Sequence, residues 1–292
     1  MVHRSVKIMW FQINQNLTTV RVILLFLLIF IFIFSSVHPV CDFASAYEIG
    51  ITPWVFPLIT NDYICQLVIM SAAILLFCNA PFKSEAHNYI LVRAGNTPWT
   101  MGICLYIMSM SLLYILVILA AGIAAILARL QPDTGWGQAW GTLTRGPRFY
   151  SQFGISLSVN DYIIGKYCPA EATVISFILE WACCTWLGLV TYFFNNATET
   201  MAGSVVAAAF VFLDITIENE WSYTFFKISP VTMAQLRTLS STHSIYHMTL
   251  GYAASFFVIS ISIFIGLSLL TPYVKKRFSL IKMKKGGVAC VK

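Results

Sequence analysis

Charge is what this sequence has least of. Only 10% of its 292 residues are Asp, Glu, Lys or Arg, whereas 58% are hydrophobic and 15% aromatic. A soluble domain carries about 25% charged residues. Thirty charged side chains cannot cover a globule of this size, which excludes an ordinary soluble enzyme, a disordered chain and a nucleic-acid module. The familiar catalytic signatures are missing as well. There is no GxxxxGK[ST] loop for nucleotide phosphates, no HExxH and no GxSxG. The eight cysteines include no CxxC pair, so neither a zinc framework nor a dithiol redox motif is indicated. Cys41 and Cys168 are the pair that a disulfide outside a membrane would join. There is no internal repeat and no low-complexity tract.

What fills the chain is apolar sequence in long runs. A membrane-crossing helix needs about 20 mostly apolar residues. Six runs are read as spans: Val22–Phe34 extended through Val37, Tyr63–Phe82, Trp99–Leu130, Ala172–Phe194, the short Met201–Ile217, and Ile245–Val274. Arg21, the first run and Ala44-Ser45-Ala46 together have the outline of a signal peptide, but the 21 residues before the run are long for one, and the run is read as a retained span. The expectation is an all-α, multi-pass protein of the cell membrane, with residues 1–292 as one transmembrane domain.

Basic residues give the direction. The N-terminal segment, the 83–98 connection and the segment after Val274 hold twelve Lys and Arg, among them Arg4, Lys7, Arg21, Lys83, Arg93 and seven beyond Val274. The opposite loops hold six, and eight acidic residues lie with them. The positive-inside bias puts both termini in the cytoplasm, with residues 275–292 as a basic tail near anionic headgroups.

The segments between runs have character of their own. Val2, Val6, Met9, Trp10, Ile13 and Leu17 recur at helical spacing, so residues 1–20 are read as a helix lying in the membrane interface. Thr52–Pro57 is a proline-punctuated apolar stretch read as an interfacial anchor. Residues 131–171 carry Trp136, Trp140, Phe149, Tyr150, Phe153, Tyr162 and Tyr167, too many aromatics for open water, and are expected on the membrane surface or against the 218–244 loop. Ser229-Pro230 is a helix start, and a short outer helix of re-entrant type is expected there.

Two ionisable residues interrupt the apolar runs: Glu180 near the middle of the fourth and Asp214 toward the outer end of the fifth. A charge at the centre of a spanning helix costs about 2.5–3.5 kcal/mol on insertion scales and generally faces a cavity or a partner. Both are candidates for a substrate pathway; a carboxyl bonded to a neighbouring helix is the competing reading. His243 and His247, four residues apart, have metal-ligand spacing but no third ligand nearby in sequence, so no metal is expected. No catalytic residue is assigned. Gly203/Ala207 and Ser204/Ala208 form small-residue pairs that allow helices to approach closely. The cytoplasmic connection has a helical stretch from Ser84 to Arg93, ended by Gly95 with Pro98 beyond, suited to docking a soluble partner.

This layout resembles the permease subunits of bacterial type-2 ABC exporters. Phe77-Cys78-Asn79-Ala80-Pro81-Phe82, then Arg93-Ala94-Gly95 and Trp99, resembles permeases of that kind, as does Ser229-Pro230-Val231. The resemblance implies two permease copies, or two related permeases, paired with two separate ATPase subunits that bind Mg-ATP. Lys83, Ser84, Glu85, Tyr89 and Arg93 would then couple to the ATPase. Cargo in the family ranges over peptides, lipids, polysaccharides and drugs. The long aromatic 131–171 segment exceeds what a minimal permease needs. Other classes remain: an ion-coupled secondary transporter, for which Glu180 is suggestive, a membrane enzyme, and a non-transporting scaffold or immunity protein.

Overall fold

The computed structural model describes residues 2–82, 87–219, 223–239 and 248–286, with backbone alone at 223–224 and beyond Tyr273. Among the described residues the chain is helical with no strand, only two isolated bridges. In chain order the helices are α1 (Val2–Leu17), α2 (Val20–Val37), α3 (Pro39–Ala46), α4 (Phe56–Asn61), α5 (Tyr63–Phe77), α6 (His87–Ala94) and α7 (Asn96–Ile126). After these come α8 (Gly137–Arg145), α9 (Arg148–Phe153), α10 (Asp161–Lys166), α11 (Pro169–Thr198), α12 (Ala202–Glu218), α13 (Pro230–Ala234) and α14 (Leu250–Gly286).

Four stretches are long and apolar enough to cross a membrane: Val20–Ala46, Asn96–Arg129, Pro169–Thr198 and Leu250–Tyr273. Helices α5 and α12 are apolar but shorter, at 15 and 17 residues. The outside of the bundle is greasy. Ile23, Leu27 and Ile31 on α2, Val205 and Phe212 on α12, and Val258, Ile259 and Ile263 on α14 are all exposed. Apolar faces of this extent are suited to hydrocarbon and would aggregate in water.

Side-chain contacts define the two ends of the bundle. At the first end, Arg21 meets Cys78, and Thr97 meets the Tyr273 hydroxyl at 2.8 Å. There the Asn195 amide donates to the carbonyls of Cys78 and Ala80 at 3.1 and 3.0 Å, while its oxygen accepts the Gly203 N–H at 2.7 Å. A Cβ on Gly203 would fall 2.3 Å from the Thr191 carbonyl oxygen, so only glycine lets α12 start this close to α11. At the second end the loops knit together. Arg129 bonds the Ser45 hydroxyl, Ile51 bridges to Leu130, and the Trp54 indole donates to the Asp133 carbonyl.

Several expectations take a different form. Helix α1 exists, but Ser5, Ile8 and Gln12 are buried, and Ile8 packs where a Cβ on Gly102 of α7 would be. It is docked on α7, with Val2 and Trp10 of the anticipated stripe left on the outside. The Thr52–Pro57 stretch is packed more deeply than an anchor needs: Val55, Phe56 and Pro57 are buried and Phe56 packs against Phe177 of α11, while Trp54 stays half-buried at the bundle end. Pro57 fits because it occupies the first turn of α4, where its missing N–H costs nothing. The aromatic segment folds into α8, α9 and α10. Trp140 is buried beneath it, Phe149 and Phe153 pack on Phe43, and the Tyr162 hydroxyl donates to the Leu239 carbonyl at 3.2 Å. It therefore packs on both α3 and the segment that ends at Leu239. Cys41 and Cys168 are free thiols, and the Cys41 thiol donates to the Ala125 carbonyl. The chain beyond Val274 continues α14 as far as Gly286.

Candidate functional site

Helix α11 runs through the middle of the molecule and packs on α5, α7, α12 and α14. Gly188 makes this possible, since a Cβ there would lie 2.6 Å from Ile107 and 2.9 Å from Phe77. A residue on the inward face of α11 is therefore cut off from the surroundings on every side. Glu180 is such a residue: it is fully buried, and neither carboxyl oxygen has a hydrogen-bond partner. Gln66 of α5 lies beside it, also fully buried, with both amide atoms unbonded. One turn back on α11, the Ser176 hydroxyl is buried and unbonded too. Around them the packing is tight and specific. The buried Tyr114 hydroxyl donates to the Ile69 carbonyl at 2.8 Å, and the Trp181 indole to the Met108 carbonyl at 2.9 Å. Unpaired polar atoms in such an interior each cost roughly 1–3 kcal/mol. Glu180, Gln66 and Ser176 thus form a cluster of unpaired polar groups inside the bundle. Ser111, Thr185 and Trp186 on the two long helices α7 and α11 also carry buried polar atoms without a partner.

Asp214 occupies the opposite kind of environment. It too is buried, but both oxygens are held. Oδ1 accepts from the Thr232 hydroxyl at 2.6 Å and Oδ2 from the Gln235 amide at 3.3 Å. A threonine hydroxyl has one proton. With that proton on Asp214, the 2.8 Å contact between Thr232 and Ser229 is made by the Ser229 hydroxyl donating. Ser229 also caps α13 by accepting the Thr232 N–H, as the Ser-Pro signal predicts. The chain of bonds continues outward. The Gln235 oxygen accepts from Arg237 Nε at 2.7 Å, and the Arg237 guanidinium grips both Glu218 oxygens at 3.0 and 2.7 Å. The Arg237 backbone N–H donates to Asn61 at 2.8 Å. Glu218, Thr232, Arg237 and Thr238 line a cavity of about 230 Å³ at this second end.

Helix α13 lies against both carboxyl-bearing helices, α11 and α12. Three residues past Glu180, the Cys183 sulfur contacts both Met70 of α5 and the Pro230 carbonyl, each at 3.7 Å.

At the first end, α6 lies between α5 and α7. Gly95, at φ +88°, separates α6 from α7, as its position after Arg93 predicts. None of the α6 side chains is buried, and Val92 is 88% exposed. Arg93 donates to the Tyr89 hydroxyl at 2.6 Å and sits over the Tyr89 ring. A cavity of about 190 Å³ lies behind the helix, lined by Leu91, Trp99, Tyr192 and Pro272 among others. Lys83, Ser84 and Glu85 lie outside the described residues, as do His243 and His247. Among the described residues, no three His, Cys, Asp or Glu side chains gather as a metal site.

Sequence reasoning singled out Glu180 and Asp214 but missed Gln66, Arg237 and Asn195. For Gln66 the signal was available, a lone carboxamide inside the Tyr63–Phe77 run. Comparison with family models, with curated proteins and with solved structures finds no match to this chain.

Proposed function

We propose that this chain is the membrane-spanning permease subunit of an ATP-driven exporter, working as a pair with separate ATPase subunits that bind Mg-ATP. The observation that carries this reading is α6: a short helix at the first end, with no buried side chain and with Tyr89, Val92 and Arg93 presented outward. A connector that served only to join α5 and α7 would have no need to display these groups. The basic bias supports a cytoplasmic location for that end, and α5 and α12 counted as short spans would make six crossings with both termini inside. The cavity behind α6 leaves room for the helix to be pressed inward when an ATPase closes. In this reading Glu180 and Gln66 face the pathway when the bundle opens. The outer α13 segment, tied to Asp214, belongs to the far gate.

The test is copurification of the full chain with its ATPase. Val92→Glu and Arg93→Glu should abolish ATPase recovery while leaving the chain monodisperse in detergent. Recovery of no ATPase with the native chain would overturn the reading. A second reading, an ion-coupled secondary transporter, is favoured by the unpaired Glu180 and Gln66 alone. It predicts uptake or efflux in vesicles driven by an ion gradient without ATP, and loss of that flux in Glu180→Gln.

A further inference from the structure

Helices α2 and α5 do not close on each other along their outer side. Between them runs a groove of about 480 Å³, walled by Leu24, Leu28 and Phe32 on α2 and by Val68, Ala72 and Leu75 on α5. Its lining is almost wholly apolar except at one end, where Arg21 and Cys78 stand. The Arg21 guanidinium is poorly served there. One nitrogen, Nη1, donates to the Cys78 sulfur, a weak acceptor, and the buried Nε has no partner. No carboxylate among the described residues pairs with Arg21.

We infer that this groove is a binding site for an anionic phospholipid, with one acyl chain along the α2–α5 seam and the headgroup phosphate on Arg21. Charge complementarity identifies the headgroup: a guanidinium in a fork geometry, short of acceptors, matches a phosphate's oxygens. Length identifies the tail. From Arg21 to Phe32 is eleven residues, about 17 Å of helix at 1.5 Å per residue, close to one leaflet of a hydrocarbon core about 30 Å thick. A spanning helix from a second copy would need a groove twice that long. Arg21 precedes the apolar run of α2, so the headgroup lies at the first end of the bundle, on the side of α1 and α6. This inference does not rest on the transport reading.

Native mass spectrometry of the purified full chain tests it, with phosphatidylglycerol and phosphatidylcholine offered in equal amounts. The native protein should retain one phosphatidylglycerol with about a tenfold preference. Arg21→Gln should bind the two lipids equally, because the groove remains and the charge is gone. Leu28→Trp, a change at an exposed wall position that fills the groove, should lose both lipids while melting at the native temperature. Full headgroup preference in Arg21→Gln would overturn the inference, as would equal binding of the two lipids by the native chain. A two-copy mass that Leu28→Trp converts to one copy would assign the groove to self-association instead.

Discussion

Glu180 and Asp214 are both acidic, both buried and both set in apolar helices, yet the protein treats them in opposite ways. Asp214 ends a relay of hydrogen bonds that runs through Gln235 and Arg237 to Glu218 at the edge of a polar cavity. Glu180 lies beside the Gln66 carboxamide without a hydrogen bond of normal geometry to it. The difference follows from what each helix packs against. Asp214 sits near the end of α12, where the chain returns through α13 and brings polar side chains and turn carbonyls with it. Glu180 sits well inside α11, packed among the side chains of other helices with the Gln66 carboxamide beside it. A carboxyl that is fully bonded contributes stability. One that is left unpaired lowers it and persists where a function needs it.

That contrast can be broken most directly by removing each carboxyl in turn. Asp214→Ala should lower unfolding stability by about 2–3 kcal/mol, because Thr232 and Gln235 are left buried without an acceptor. Glu180→Leu should cost nothing or stabilise, since it removes two unsatisfied oxygens. Thermal unfolding in detergent checks both, and equal losses would erase the distinction. A smaller effect is expected from Thr232→Val, about 1 kcal/mol, the scale of a hydrogen bond between membrane helices. Glu218→Gln should cost less again, about 0.5 kcal/mol, because its pair with Arg237 is partly exposed and is weakened by salt. The smallest effect sharpens the other side of the comparison. A double-mutant cycle of Glu180→Leu with Gln66→Leu should give a coupling below about 0.5 kcal/mol in the resting protein, since the two side chains lie side by side without a hydrogen bond of normal geometry.

Much of this was legible in the sequence wherever the signal was local. The Ser229 cap, the Gly95 break and the two acidic residues in apolar runs are fixed by a few neighbouring side chains and stand where the pattern puts them. Contacts set by distant segments were not legible. The Thr52–Pro57 stretch has the composition of a surface anchor, but α11 covers its Phe56 end. The α1 stripe was apolar as read, yet the docking of α1 depends on Gly102, a small residue almost a hundred positions away that leaves room for Ile8. The partners of Asp214 come from α13 and the residues just after it, and nothing in the α12 sequence announces them.

The Asn195 carboxamide has a mechanical consequence. Its three hydrogen bonds fasten the exit of α5, the base of α11 and the entry of α12 into one joint. Helix α11 is thirty residues long, a rod of about 45 Å that reaches from this joint to the opposite end of the bundle. Glu180 sits fifteen residues up that rod, about 22 Å from the joint. A tilt of a few degrees imposed at the joint is therefore displaced by an ångström or more at the carboxyl, with the rod as the lever and the joint as its fulcrum.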